Sequence, residues 1–199
     1  MLLALPVELR AGEQEAGNFL GNLTTRAIQD LSDESLPMKE RQDRFRGLFR
    51  ENFDVPTIGR FVLGRYWRRA SKDSRADFLM VFEEVMVARF APKFAGYGET
   101  RFDVGVVRPL QDKGQYIVST TIRPPESEVL TIDWRVREHG GRFKVIDVIG
   151  EGVSMALTLR SEYSSAIRDL GGKVENLTAM LRERALSGEG PKTTESASN

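Results

Sequence analysis

Hydrophobic and polar residues alternate along the run from Arg101 to Gly150. Phe102, Val104 and Val106 share one parity, and Tyr116, Val118, Thr120 and Ile122 share the next. Leu130, Ile132, Trp134 and Val136 follow, then Phe143, Val145 and Ile149 on a parity that Asp147 interrupts. The alternation breaks at Asp112-Lys113-Gly114, Pro124-Pro125 and His139-Gly140-Gly141. Period-two runs bounded by such turn signals predict consecutive strands. The gaps are too short for parallel crossovers, which need about a dozen residues or more. The expectation is a four-stranded antiparallel meander.

The flanking sequence carries a helical period instead. Phe19, Leu20, Leu23, Ala27, Ile28 and Leu31 form one stripe over Ala16 to Leu31. Phe45, Leu48, Phe49 and Phe53 form a second. Asp54 is placed to cap a short third helix with Pro56 in its first turn, carrying Ile58, Phe61, Val62 and Leu63 as far as Gly64. Ser71 is the expected cap of the longest helix, reaching about Lys93, with Leu79, Phe82, Met86, Phe90 and Phe94 on its stripe. Phe78, Val81 and Val85 widen that stripe. A face so broad either packs a core or lines a cavity; both use side chains of the same size and polarity. After Gly150, Ser154 caps a helix carrying Leu157, Leu159, Tyr163, Ile167 and Leu170, which Gly171-Gly172 stops. Val174, Leu177, Met180 and Leu181 make a last amphipathic segment. The fold class is therefore α+β: a four-stranded sheet with several helices laid on one face.

Size and composition narrow the class. A chain of 199 residues suits a single domain with a substantial core. The hydrophobic share of 40% and charged share of 29% are those of an ordinary folded domain. A formal net charge of zero argues against nucleic-acid binding through overall charge. The absence of cysteine removes disulfides, thiolate nucleophiles and cysteine metal sites. No apolar run approaches the roughly 20 residues of a membrane span. Residues 1–14 are expected to be a flexible N-terminus or the remnant of a targeting segment, 15–186 one domain, and 187–199 a disordered tail.

Little in the sequence suggests reaction chemistry. Asp147 and Glu151 sit tightly between apolar strand residues and a helix start. A carboxylate there serves either as a general base or as an acceptor for backbone N–H groups at the turn. No second acid, histidine or nucleophile completes a catalytic set around it, and the structural role is favoured. His139, the single histidine, lies in a Glu-His-Gly-Gly turn. No metal site and no catalytic residue is expected. A local basic run, Arg41, Arg44, Arg46, Arg50, Arg60, Arg65, Arg68, Arg69, Lys72 and Arg75, is either a solvated face paired with helix acids or an attractor of phosphate and anionic surfaces. By elimination, wide apolar helix faces over a sheet suit a carrier of an apolar ligand.

Several segments carry a resemblance. Phe61-Val-Leu-Gly-Arg-Tyr-Trp67 after a short helix, the helix from Ser71 to Phe94, and the junction Asp147-Val-Ile-Gly-Glu-Gly-Val-Ser154 occur in order. Leu159-Arg-Ser-Glu-Tyr163 and the Gly171 break follow. Over roughly Glu15 to Arg184 the chain resembles the MlaC family, also called the toluene-tolerance auxiliary family. The resemblance implies a non-catalytic periplasmic lipid carrier without a cofactor. Such a protein holds phospholipid chains in an apolar cavity between helices and sheet. Its partners are the periplasmic lipid-binding subunit of an inner-membrane ABC transporter and, in some systems, an outer-membrane lipid complex; a related branch is associated with hopanoids. Carried onto this sequence, the cavity walls fall at Phe61, Val62, Tyr66, Phe82, Val85, Met86, Phe90, Val118, Ile132, Trp134, Val148, Val153 and Met155. The mouth falls at Arg65, Tyr66 and Arg89. Tryptophan at Met86 or Val118 then separates two outcomes: displaced ligand if these line a cavity, lost stability if they pack a core.

Overall fold

The computed structural model describes residues 7–124 and 128–187. Seven helices and five strands run in the order α1 (Val7–Leu31), α2 (Met38–Asn52), α3 (Val55–Leu63), α4 (Arg65–Arg69), α5 (Lys72–Phe90), β1 (Arg101–Pro109), β2 (Gln115–Arg123), β3 (Leu130–His139), β4 (Arg142–Gly150), β5 (Val153–Ser154), α6 (Met155–Asp169) and α7 (Val174–Ser187). The sheet is an antiparallel meander in sequence order. The fold is α+β, with five strands where the alternation predicts four. The additional strand, β5, is two residues long and pairs with Ile149 and Gly150. Glu151 and Gly152, both at positive φ (50° and 79°), fold the chain back to make it. A strand so short leaves no period to read.

The caps form as their residues dictate. Asp54 accepts the N–H of Thr57 at 3.0 Å, Ser71 that of Ser74 at 3.0 Å, and Ser154 that of Leu157 at 3.1 Å. Each satisfies one backbone donor that the first helical turn cannot pair. Gly171 and Gly172, both at φ 82°, end α6. The long helix stops at Phe90, short of the expected Lys93. Pro92 has no N–H for the next bond, and Ala91–Phe94 tightens to a 3-10 turn.

Within residues 1–14, expected as a flexible N-terminus or the remnant of a targeting segment, the chain is helical from Val7 onward. The segment's polar character hid this from the sequence, and tertiary contact explains it. At Gly12 a Cβ would lie 2.1 Å from the Tyr116 hydroxyl, so only glycine lets α1 approach β2 this closely. The expected C-terminal tail lies outside the described residues beyond Ser187.

Two bulges revise the expected parity. The β1–β2 register slips between Val104 and Val107, so Val107 joins the packed face and Val106 is 63% exposed. The β3–β4 register slips between Arg135 and Val136, which are opposite Asp147 and Val145. That slip places Val148, not Ile149, on the face of Val145. Asp147 thus turns away from the packed face without interrupting it.

Helices reach the sheet from more than one side. α1 covers the face bearing Tyr116, Val118, Val136 and Val145. α3 and α6 pack against β4, and side chains of the opposite parity on β3 and β4 reach them. Arg137 bonds to Asp54 and Thr57, and Asp147 to Ala156.

Candidate functional site

The apolar interior is divided. One cluster is helical and contains Val62, Phe78, Phe82, Met86, Tyr163 and Leu177 among its buried members. The other joins α1 to the sheet through Ala16, Leu20, Leu23, Tyr116, Val118, Val136 and Val145. Phe53 packs against both clusters. It can do so because the chain leaves α2 there and runs beside β4, where Phe53 pairs with Val145. Its ring also packs against that of Phe49, with centroids 4.7 Å apart and the planes tilted by 35°.

Beyond the part of the sheet that α1 covers, the same face stays apolar. Val104, Thr120, Ile132, Gly150 and Val153 are opposed in turn across all five strands. Phe102, Ile122 and Leu130 form the next row. Directly opposed residues share a face, so these rows continue the surface of Val118 and Val136. α1 shields the β1 side, with Gly17 beside Val107 and Gly21 beside Val104. On the β3 to β5 side, Ile132 is half-buried, Leu130 is 38% exposed and Val153 is 63% exposed. An apolar sheet end open on one side is able to receive hydrocarbon.

The residues expected to line a cavity are not brought together at one place. Val62, Tyr66, Phe82, Val85 and Met86 are buried in the helical cluster, with Phe90 and Met155 at its margin. Val118 is buried in the sheet cluster, with Trp134 and Val148 at its margin. Trp134 donates its Nε1–H to Thr120 Oγ1 at 2.9 Å, next to the open rows. Ile132 and Val153 lie within those rows. Phe102, Ile122 and Leu130 belong there too. Their alternation is visible in the sequence, but nothing local shows that this end is left uncovered. Arg89 is half-buried, its guanidinium 5.4 Å from the Phe90 ring centre.

Phe61 and Arg65 instead line a separate cleft of about 490 Å³ with Thr57, Arg60, Gly64, Trp67, Arg68, Arg137 and Arg160. Arg65 donates to the Tyr66 hydroxyl at 2.9 Å, and the Arg160 guanidinium lies 4.9 Å from the Phe61 ring centre.

The carboxylate most open to a catalytic reading is fully engaged. Asp147 is buried and accepts the N–H of Val148 (2.9 Å), the N–H of Ala156 (3.0 Å) and the Ser154 hydroxyl (2.6 Å). It holds the turn from β4 into α6. Among the described residues no group of three or more His, Cys, Asp or Glu is positioned to hold a metal ion. No described helix is long and apolar enough to cross a membrane.

This arrangement matches a known family. The sequence model of the MlaC protein family fits residues 22–183. The chain belongs to the MlaC family. A curated family member, the intermembrane phospholipid transport system binding protein MlaC of Haemophilus influenzae, is 23% identical over 135 residues. The match covers 64% of this chain and 63% of that protein, so the chain spans somewhat under two thirds of its relative's length. The fold is also that of a phospholipid-binding protein from Ralstonia solanacearum, solved in complex with a phospholipid. The TM-score is 0.79 at 17% identity, over 87% of this chain and 98% of the other. The resemblance seen in the Leu63-Gly-Arg-Tyr66 and Asp147–Ser154 segments therefore corresponds to family membership.

Proposed function

We propose that this protein is a non-catalytic periplasmic carrier of phospholipid. Its acyl chains lie against the open apolar end of the sheet and extend into the seam between sheet and helical cluster. The observation that carries this reading is the pair of opposed rows, Val104 to Val153 and Phe102 to Leu130, left open beside α1. Membership in the MlaC family and the names of the relatives support phospholipid as the cargo. Of the wall residues carried over by resemblance, Ile132, Trp134, Val148, Val153 and Met155 are closest to this seam by position in the fold. Those inside the two clusters contact lipid only if the layers part.

Transfer of hydrocarbon from water is favourable by about 0.8 kcal/mol per buried CH2. A carrier enclosing whole chains therefore holds them tightly and releases them to a partner that offers a competing apolar surface. The lipid-binding subunit of an ABC-type transport system fits that description, with an outer-membrane lipid complex at the other end of the route.

The test is solvent extraction of gently purified protein, lipid mass spectrometry, and native mass spectrometry for stoichiometry. Near-stoichiometric phospholipid is the expected result. A hopanoid in its place would replace the cargo. A lipid-free protein that takes up neither would sink the carrier reading and leave a protein-binding adaptor.

A further inference from the structure

Most of the basic run between Arg41 and Arg75 separates into two populations once folded. Arg44 pairs with Glu40, Arg46 with Asp43 and Glu83, and Arg50 with Glu83. Arg41 is buried and donates to the carbonyls of Leu31 and Asp33. Arg75 donates to the carbonyl of Trp67 and lies over its ring. These side chains have structural work. Arg60, Arg65 and Arg68 do not form ion pairs among the described residues. They line one cleft together with two arginines from distant parts of the sequence, Arg137 and Arg160. Arg160 also lacks a carboxylate partner among the described residues, so only Arg137, held by Asp54, is neutralised.

The cleft is built to present these charges. Gly64 turns the chain between α3 and α4 at φ 52°, and a Cβ there would lie 3.3 Å from Arg160 Nε. Glycine thus admits the guanidinium alongside the turn, while the Phe61 ring supports it at 4.9 Å. Arg65 is steadied by the Tyr66 hydroxyl and ring. The chain as a whole is neutral, so four unpaired cations in one concavity are a local concentration of charge rather than a reflection of composition. A volume of about 490 Å³ takes a substituted phosphate, and a guanidinium's planar fork matches phosphate oxygens in bidentate geometry.

We infer that the cleft formed by Arg60, Arg65, Arg68 and Arg160 around Gly64 is a binding site for a phosphate-bearing anion. It is separate from the apolar sheet end: Arg137, on its wall, projects from the face of β3 opposite Ile132. The inference does not rest on the carrier reading, and lipid extraction from the same protein tests that reading independently. The phosphate is either a free phosphate species or the exposed headgroup of an anionic lipid surface, to which the cleft docks the protein.

The experiment compares the full chain with Arg65→Gln, Arg160→Gln and the double variant. All three change exposed side chains and leave the core intact. Arg44→Gln removes the same charge outside the cleft and serves as the control. Calorimetry with inorganic phosphate reads the first source. Co-sedimentation with phosphatidylglycerol vesicles against phosphatidylcholine vesicles reads the second. Expected is saturable binding of one probe, weakened about tenfold by each single substitution and unchanged by Arg44→Gln. Binding of phosphate assigns a free species, and binding of the anionic vesicles alone assigns a headgroup. Failure of both probes, or equal binding by the double variant, overturns the inference. So does binding of an acidic peptide when neither phosphate probe binds, which would assign the cleft to a protein segment.

Discussion

Arg137 on β3 donates to Asp54 at the start of α3, its Nη2 lying 2.5 Å from Oδ2 and 2.9 Å from Thr57 Oγ1. One carboxylate thus caps a helix and ties that helix to the sheet. Burial pushes the Asp54 carboxyl up, but the Thr57 N–H and hydroxyl and the Arg137 guanidinium together hold it below the usual carboxylate range. A group whose pKa is lower folded than unfolded stabilises the fold above its unfolded value. That stability is lost as the pH falls through the folded value. Stability should therefore decline on acidification below about pH 4, the unfolded aspartate value. In Asp54→Asn the part of that decline due to this carboxyl should be absent. Thermal unfolding of both proteins across this range checks it, and parallel acid profiles would count against the assignment.

Asp147 makes a second junction, from β4 into α6, through three acceptor bonds. An asparagine side chain in its place retains one carbonyl oxygen and replaces the other acceptor with a donor. Asp147→Asn should cost about 1–3 kcal/mol in urea denaturation. Lipid uptake by the protein that remains folded should match wild type. A loss of uptake without a loss of stability would give this side chain a direct functional role.

Phe53 touches both apolar clusters from the end of α2. Phe53→Ala should lower stability by about 2 kcal/mol, less than a fully buried phenylalanine because the ring is half-buried. Hydrogen exchange should show β4 and the end of α2 loosening together. Exchange confined to α2 would mean that the layers are held together elsewhere.

Two substitutions on one sheet face separate packing from ligand contact. Val118 has no exposed surface and sits inside the sheet cluster, so Val118→Trp should overpack it at a cost of about 1–3 kcal/mol. Ile132 lies in the open row, half-buried. Ile132→Glu should leave the melting temperature within a few degrees of wild type and reduce phospholipid uptake severalfold. If both variants lose stability equally and keep uptake, the open rows are not where the lipid binds.

Much of this protein is legible from local pattern. Alternation locates β1 to β4, and Asp54, Ser71, Ser154 and Gly171-Gly172 mark helix ends that the structure reproduces. These features depend on residues within a turn or a strand of one another, so their physics is written in sequence neighbours. The Asp147–Ser154 junction, an element of the family resemblance, is local for the same reason. The departures share a cause as well. Val106 and Ile149 follow a strict parity that a bulge interrupts, because pairing decides a bulge and a single strand does not. The start of α1 escapes detection because its polar residues carry no stripe, whereas Gly12 fits beneath Tyr116 only once the sheet exists.

The sequence by itself determined the order and kind of the longer elements, the meander of β1 to β4, the caps and the family. Periodicity and hydrogen-bond chemistry act over a few residues, and each residue's type is sufficient to express them. Only the tertiary structure decided that the apolar residues divide into two clusters joined at Phe53. It also left the Ile132–Leu130 end of the sheet open and gathered Arg137 and Arg160 beside Arg60, Arg65 and Arg68. Those outcomes depend on which surfaces meet when the chain closes on itself. Burial and charge convergence are properties of that closure, and no stretch of sequence contains them alone.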